Sequence, residues 1–328
     1  MKFSIDDIRG VFAVLPTPST ADASSIHAKF TVNIDESKKM VTKLINDGVN
    51  GIITNGTLGE IATLTLEEWK GFVEVVIETV HQLKPDLPLF LGATTLNSRE
   101  TIERIQYLHD KGARGLFLGR PFWTQMSAEA IINYYQDIAS LFPDMSIVLY
   151  DNPEAFKGPI PTAVYKELSQ IPQIVGTKYI AITPKFRADM EAIAGRIRLM
   201  PLEADWMVAH TLYPEEAIAC WSSSAVCDPA PVIALREALN HGETDYARQL
   251  TQKMEYTYET FLARVDFHEF SKYNIPLEKI RFNEAGYITA GPTRHPYHIL
   301  PSAYAEGARE NGRRWRALAQ EIRNSTTK

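Results

Sequence analysis

The apolar residues of this chain repeat with two periods that take turns. Short runs rich in β-branched and aromatic residues read as buried strands. Between them lie longer stretches whose apolar residues recur every three or four positions, as on a helix with one buried face. The strand-like runs fall at 10–18, 49–56, 88–94, 113–119, 146–153, 173–178, 196–203 and 216–223. Helical spacing is clear in 34–48, where Met40, Val41, Leu44 and Ile45 share a face and Gly48 is the stop. It is equally clear in 65–80, through Trp69, Phe72, Val73, Val76 and Val80. Thr65 and Glu68 have capping-box spacing, Ser127 is placed to cap a helix over 127–142, and further helices are predicted over 98–112 and 161–171.

Strand starts recur every ~25 to 38 residues, the length of a strand, a helix and two loops. Parallel strands joined by helices follow from that order. From about Pro229 the strand signal fades, and 231–240, 243–265 and 310–324 look helical, the last with Trp315, Leu318 and Ile322 on one face. The predicted fold is therefore α/β: a (β/α)8 TIM barrel with a helical C-terminal extension. Residues 1–228 would form the barrel core, and 229–328 the last barrel helix and the extension of the same unit. A doubly wound open sheet gives the same alternation, but no Gly-rich phosphate fingerprint follows the first strand.

Composition narrows the classes. With 328 residues, 45% of them hydrophobic, the chain can bury a large core, and barrels of this length occur as one domain. The net charge of -6, without a block of like charges, lacks the basic footprint of a nucleic-acid binder. No apolar run is long enough for a membrane span. The start, MKFSIDDIRG, has two acids and no apolar segment of the secretory kind, so a cytoplasmic protein is expected. Cys220 and Cys227 suit neither a disulfide framework nor a zinc site.

In such a barrel chemistry sits at the C-terminal ends of the strands. There the sequence offers Gly56-Thr57-Leu58-Gly59-Glu60, Tyr150-Asp151-Asn152-Pro153, Lys178 and Trp221-Ser222-Ser223-Ser224. Lys178 ends an apolar run, where lysine is rare unless paired or used. Desolvation disfavours the ammonium form, and a neutral amine adds to ketones to give a Schiff base. On position alone, a lysine reaching solvent or pairing with an acid fits equally. Tyr150 is a candidate proton carrier beside it, with a buried core tyrosine as the alternative. The glycine-flanked turn at Thr57 and Leu58 offers backbone N–H groups to a small carboxylate, or is simply a turn.

Together these motifs resemble the class I pyruvate aldolase superfamily that includes dihydrodipicolinate synthase and N-acetylneuraminate lyase. The superfamily shows a Gly-Thr-x-Gly-Glu turn after strand 2, a Tyr-Asn-x-Pro-like stretch after strand 5 and a Schiff-base lysine on strand 6, in the order seen here. Three departures separate the chain from the synthases. Leu58 replaces a second threonine, Arg120-Pro121-Phe122-Trp123 stands where a relay tyrosine is expected, and Glu154-Ala155-Phe156 lacks a carboxylate-binding arginine. The segments YDNPEAFKGPIP, CWSSSAVCDPA, FSKYNIPLEK and AGPTRHPY are similar to those of the trans-o-hydroxybenzylidenepyruvate and 2-carboxybenzylidenepyruvate hydratase-aldolases.

That resemblance implies hydration and cleavage of an aryl-substituted unsaturated 2-keto acid to an aromatic aldehyde and pyruvate, in aromatic hydrocarbon catabolism. It implies Lys178 and Tyr150 as catalytic residues, and Asn152, Trp221 and Asn274 lining the site. It also implies a homotetramer, with no cofactor besides the covalent Schiff base. Thr57 and Leu58 would hold the pyruvyl carboxylate. Trp221, Phe122, Trp123 and Phe156 are candidates for the aryl wall, each with core packing as its alternative. Lys157 and Arg120 are cations for a ring substituent, with surface solvation the expected fate of both.

Three other readings stay open. Another pyruvate-dependent class I aldolase or lyase, like dihydrodipicolinate synthase or N-acetylneuraminate lyase, would use the same lysine on a different substrate. A metal-dependent pyruvate aldolase would use acids such as Glu60, Asp151, Glu203 and Asp205, but leaves Lys178 without a role. A keto-acid sensor would keep the pocket without turnover. His295 and His298 lie in a proline-containing loop and do not suggest a zinc pair.

Overall fold

A computed structural model describes residues 3–326. The chain divides into two compact units. The first holds residues up to Phe12, Gly51–Ile53 and Leu87–Trp221; the second holds Ala13–Asn50, Thr54–Asp86 and the chain from Ser222 on.

Apart from the last residues of the first and last strands, the first unit contains all eight strands. These are β1 (Gly10–Val14), β2 (Gly51–Ile53), β3 (Leu89–Gly92), β4 (Gly115–Leu118), β5 (Ser146–Tyr150), β6 (Ile174–Lys178), β7 (Arg198–Met200) and β8 (Ala219–Ser222). Their order is β7-β6-β5-β4-β3-β2-β1-β8, and the pairs from β2 to β7 run parallel. Among the described residues, the two ends of the sheet meet through one parallel bridge, Leu202 to Trp221, where the Trp221 N–H donates to the Pro201 carbonyl at 2.9 Å. The result is a nearly closed (β/α)8 barrel, as the period predicts. The strands are almost wholly buried because side chains fill the barrel and helices cover it.

Close packing fixes small residues inside. A Cβ on Gly51 would lie 2.2 Å from the Phe12 ring, and one on Gly115 would lie 2.2 Å from the Leu89 carbonyl. The unit also carries α3 (Ser98–Asp110), α4 (Ala128–Leu141), α5 (Thr162–Leu168), α6 (Pro184–Ile193) and α7 (Trp206–Leu212). Ser127 caps α4 through the Ala130 N–H.

The second unit is helical: α1 (Ile34–Asn46), α2 (Leu66–Leu83), α8 (Ala230–Asn240), α9 (Thr244–Tyr258), α10 (Leu262–Val265), α11 (Phe267–Ala285) and α12 (Ser302–Thr326). Thr65 and Glu68 form the expected capping box on α2. Met40, Val41 and Leu44 bury the face of α1, with Ile45 at its border. Gly48 follows the helix at φ +89°, a conformation that favours glycine. Trp315, Leu318 and Ile322 are buried along α12, as their spacing predicts. The segment 243–265, expected as one helix, is two. Helix α11 is not predicted by the apolar pattern; Pro276 sits inside it. No helix among the described residues is long and apolar enough to cross a membrane.

Candidate active site

Strand register brings the first two chemical groups together. Tyr150 and Lys178 are the last residues of β5 and β6 and are paired partners across the ladder. Side chains of register partners point the same way, so the lysine and the phenol leave the barrel side by side. Both are buried, Lys178 at 9% exposure. The Lys178 Nζ lies 5.4 Å from the centre of the Tyr150 ring and 3.4 Å from the centre of the Trp221 ring. The indole is itself held: its Nε1 donates to the Tyr179 carbonyl at 2.6 Å.

The Tyr150 hydroxyl accepts a hydrogen bond from Asn152 Nδ2 at 3.1 Å. Asn152 Oδ1 accepts from the N–H groups of Glu154 and Ala155, both at 3.2 Å. One short side chain thus closes its own turn and reaches back to the phenol, a habit of Asn in loops. The Tyr150 ring packs on Phe117 at 4.4 Å and meets Phe156 edge-on at 5.3 Å. Phe122 meets Phe156 in turn at 6.3 Å. Phe156 has room because residue 119 is glycine; a Cβ there would lie 2.1 Å from its ring. Trp123, offered by the sequence as a wall residue, is instead 81% exposed.

The loop that carries Asn152 and Phe156 is fixed by a buried pair that the sequence misassigned. Arg120 is not a surface residue: it is 2% exposed. Its Nη2 donates to the Gly158 carbonyl at 2.5 Å and the Phe156 carbonyl at 3.4 Å, and its guanidinium lies 5.3 Å from the centre of the Phe156 ring. Nη1 is 3.8 Å from Asp151 Oδ1. Asp151 accepts from the Ile160 N–H at 3.0 Å and the Tyr165 hydroxyl at 3.0 Å. Burial pushes the Asp151 carboxyl up, against the pull of Arg120, the Ile160 N–H and Tyr165. A buried arginine and a buried carboxylate need such partners, and these partners are the loop itself. Lys157, by contrast, is exposed, as expected.

A second buried carboxylate backs β6. Asp189 accepts from the hydroxyls of Tyr179 at 2.7 Å and Thr162 at 2.5 Å and pairs with Lys185 at 2.5 Å. Burial and this carboxylate push the Tyr179 phenol up. Tyr179 is therefore fixed through both its hydroxyl and its carbonyl.

Thr57, Leu58 and Asn274 belong to the second unit. The turn at Thr57 and Leu58 is tight. Glu60 N–H donates to the Thr57 carbonyl at 2.9 Å, Asn55 and Glu60 have left-handed backbones, and a Cβ on Gly59 would lie 2.9 Å from the Asn55 backbone. Asn55, which the sequence did not single out, accepts from the Thr54 hydroxyl, while its buried Nδ2 has no hydrogen-bond partner among the described residues. Asn274 lies on α11, and its buried Oδ1 has no such partner either.

Glu60 is committed elsewhere. It accepts from the Arg294 N–H at 2.9 Å and pairs with the Arg294 guanidinium and with Lys279 at 2.7 Å. Arg294 also donates to the carbonyls of Thr17 and Thr31, each at 2.9 Å, and Lys279 to Ser19 Oγ at 2.9 Å. Burial pushes Lys279 down to about 8, against the attraction of Glu60. Arg281 of α11 holds the Ser223 and Ser224 hydroxyls at 2.7 and 3.0 Å and pairs with Glu278 at 2.8 Å. Among the described residues no three His, Cys, Asp or Glu side chains gather as a metal would require.

Residues 17–267 match the dihydrodipicolinate synthetase family. The chain is 42% identical to a trans-O-hydroxybenzylidenepyruvate hydratase-aldolase of Pseudomonas putida, over 97% of its own length and 96% of the relative's. It is 40% identical to a trans-2'-carboxybenzalpyruvate hydratase-aldolase of Nocardioides sp. strain KP7, over 96% and 95%. A solved structure described as PhdJ bound to substrate intermediate matches with a TM-score of 0.95 at 42% identity, covering 98% of this chain and 99% of that one.

Proposed function

Because the chain belongs to the dihydrodipicolinate synthetase family, we propose that it is a class I hydratase-aldolase acting on arylidene pyruvates, Ar–CH=CH–CO–COO⁻. The products are an aromatic aldehyde and pyruvate. The observation that carries this reading is the pairing of a buried lysine with a buried tyrosine at the ends of β5 and β6. It is joined by the likeness to two hydratase-aldolases along nearly the whole chain.

The neutral Lys178 amine adds to C2 of the keto acid. The carbinolamine hydroxyl takes a proton from the Tyr150 phenol and leaves as water, and the nitrogen lone pair forms the C=N bond of an iminium. The iminium draws electrons through the conjugated double bond, so the benzylic C4 becomes electrophilic. Water adds at C4 and C3 takes a proton. Tyr150 then accepts the proton of the new C4 hydroxyl, the C3–C4 electron pair moves towards the iminium, and the aldehyde departs. The remaining enamine is protonated at C3, and hydrolysis returns pyruvate and the free lysine. The hydrogen bond from Asn152 holds the Tyr150 oxygen in place during both proton transfers.

We assign the backbone N–H groups of Thr57 and Leu58 to the pyruvyl carboxylate and Asn274 to the hydrating water, on the pattern of the family. Phe156 is proposed as aryl wall, since an edge-on aromatic neighbour adds roughly 0.5–1.5 kcal/mol beyond area burial. The reaction uses no cofactor besides the covalent lysine. The enzyme works in the cytoplasm as a homotetramer and serves the breakdown of aromatic hydrocarbons.

Borohydride reduction in the presence of pyruvate tests the chemistry. A single adduct on Lys178, lost in Lys178→Ala together with hydration and cleavage, is the expected result. An adduct on another lysine, or on none, sinks the mechanism. Pyruvate release from unsubstituted, 2-hydroxy- and 2-carboxybenzylidenepyruvate, with N-acetylneuraminate beside them, tests the substrate class. Preference for N-acetylneuraminate would overturn the aryl reading. Light scattering that gave a monomer at micromolar concentration would remove the tetramer.

A further inference from the structure

Trp221 stands closer to the reacting nitrogen than a wall for the aryl ring needs to be. The Lys178 Nζ lies 3.4 Å from the centre of the indole, over its face. The indole N–H is already engaged with the Tyr179 carbonyl at 2.6 Å, and the Trp221 backbone N–H with the Pro201 carbonyl at 2.9 Å. Trp221 therefore has no donor left for substrate. What it presents to the lysine is the electron-rich face of a ring that cannot easily turn. A cation over such a face is attracted by the ring quadrupole, most strongly where water is excluded. Lys178 is in that situation, buried between the Trp221 and Tyr150 rings.

We infer that Trp221 is a catalytic residue whose indole face holds the positive charge of the Lys178 iminium. The inference rests on the Schiff-base reading above. The balance is simple. A neutral amine, a neutral carbonyl group and one proton become an iminium and one water, and the single positive charge stays on Nζ. The charge disappears only when the C3–C4 electron pair reaches the nitrogen system as the enamine forms, and it returns when C3 is protonated. The indole thus favours the charged intermediates over the neutral amine and the neutral enamine. An aliphatic side chain of similar volume does not. The free ammonium gains from the same face, so the effect is read as the balance between the protonated iminium and its neutral imine, a comparison in which the ammonium plays no part.

Pyruvate separates this role from aryl stacking, because it has no ring. Mono-, di-, tri- and tetrafluorotryptophan placed at position 221 keep the indole shape and withdraw the charge of its face step by step. The iminium of the saturated pyruvate adduct should lose its proton more readily with each fluorine, by about 30-fold across the series, read from the pH dependence of trapping by cyanoborohydride, which reduces the protonated form. Trp221→Leu should match the most fluorinated protein. An iminium proton equilibrium indifferent to fluorine, with turnover of the arylidene substrate reduced, would make Trp221 an aryl wall and overturn the inference. Absence of any adduct in the unsubstituted enzyme would remove the Schiff-base reading and this inference with it.

Discussion

Asn152 donates to the hydroxyl of Tyr150, two residues before it, at 3.1 Å. The bond ties the phenol proposed as proton carrier to the loop that follows its own strand. Tyr150→Phe should lower kcat by about 10²–10⁴-fold, the usual contribution of a general acid–base group, with KM changed much less. Asn152→Asp keeps the acceptor that closes the turn and removes the donor. It should lower kcat in the native background and have little further effect in Tyr150→Phe, where no phenol oxygen remains. Additive losses in that double-mutant cycle would mean that Asn152 acts elsewhere.

Gly119→Ala puts a methyl group where the Phe156 ring now lies, 2.1 Å from its nearest atom. The ring must shift. KM for an arylidene pyruvate should rise severalfold, while borohydride trapping with pyruvate stays unchanged. Equal loss of both would show that the substitution disturbs β4 itself and not the aryl wall.

Arg120→Met removes the donors to the Gly158 and Phe156 carbonyls and leaves Asp151 buried without its cation. Breaking such a buried pair typically costs about 3–5 kcal/mol. Urea unfolding should show a loss of that order, and Arg120→Met with Asp151→Asn should recover part of it. A loss below about 1 kcal/mol would assign the hold on the loop to its other bonds.

Lys279 gives a pH signature in stability. Its folded value is pushed down to about 8 from the ordinary 10.5. Below about 8 the lysine is charged in both states, and the penalty for burying it is fully present. Between the two values the unfolded chain binds more protons than the folded one, so stability rises with pH. The rise is at most about 3 kcal/mol. Urea midpoints between pH 7 and 10, compared with Lys279→Met, should show this rise only in the native protein. A midpoint difference independent of pH would place the lysine's titration outside this window.

Much of this was legible in the sequence. Strand runs and capped helices are local patterns, and Lys178, Tyr150 and Trp221 were marked by position at strand ends. Helix α11 was not, for a physical reason. It buries Glu278, Lys279 and Arg281 beside Ile275, Leu277 and Phe282, so no single apolar face repeats along it, and Pro276 argues against a helix. Helix α7 was missed because it is short and leaves Val208 and Leu212 exposed. Arg120 was misplaced because an arginine's burial depends on carbonyls 36 and 38 residues away in sequence. The position of the Trp221 indole over Lys178 is likewise a property of three dimensions, fixed by a carbonyl 42 residues away.

The two open edges of the sheet, β7 and β8, touch through one bridge, and Trp221 is half of it. The same residue reaches past β7 to the Tyr179 carbonyl, directly after Lys178, the proposed Schiff-base residue at the end of β6. The joint where the barrel closes on itself and the proposed place of covalent attachment therefore share a side chain. Spreading of that seam would carry the ring away from the nitrogen, so mechanical integrity and chemistry fail together. A variant that relaxes closure elsewhere along β7 should register first as a weakened grip on pyruvate, before any change in overall unfolding.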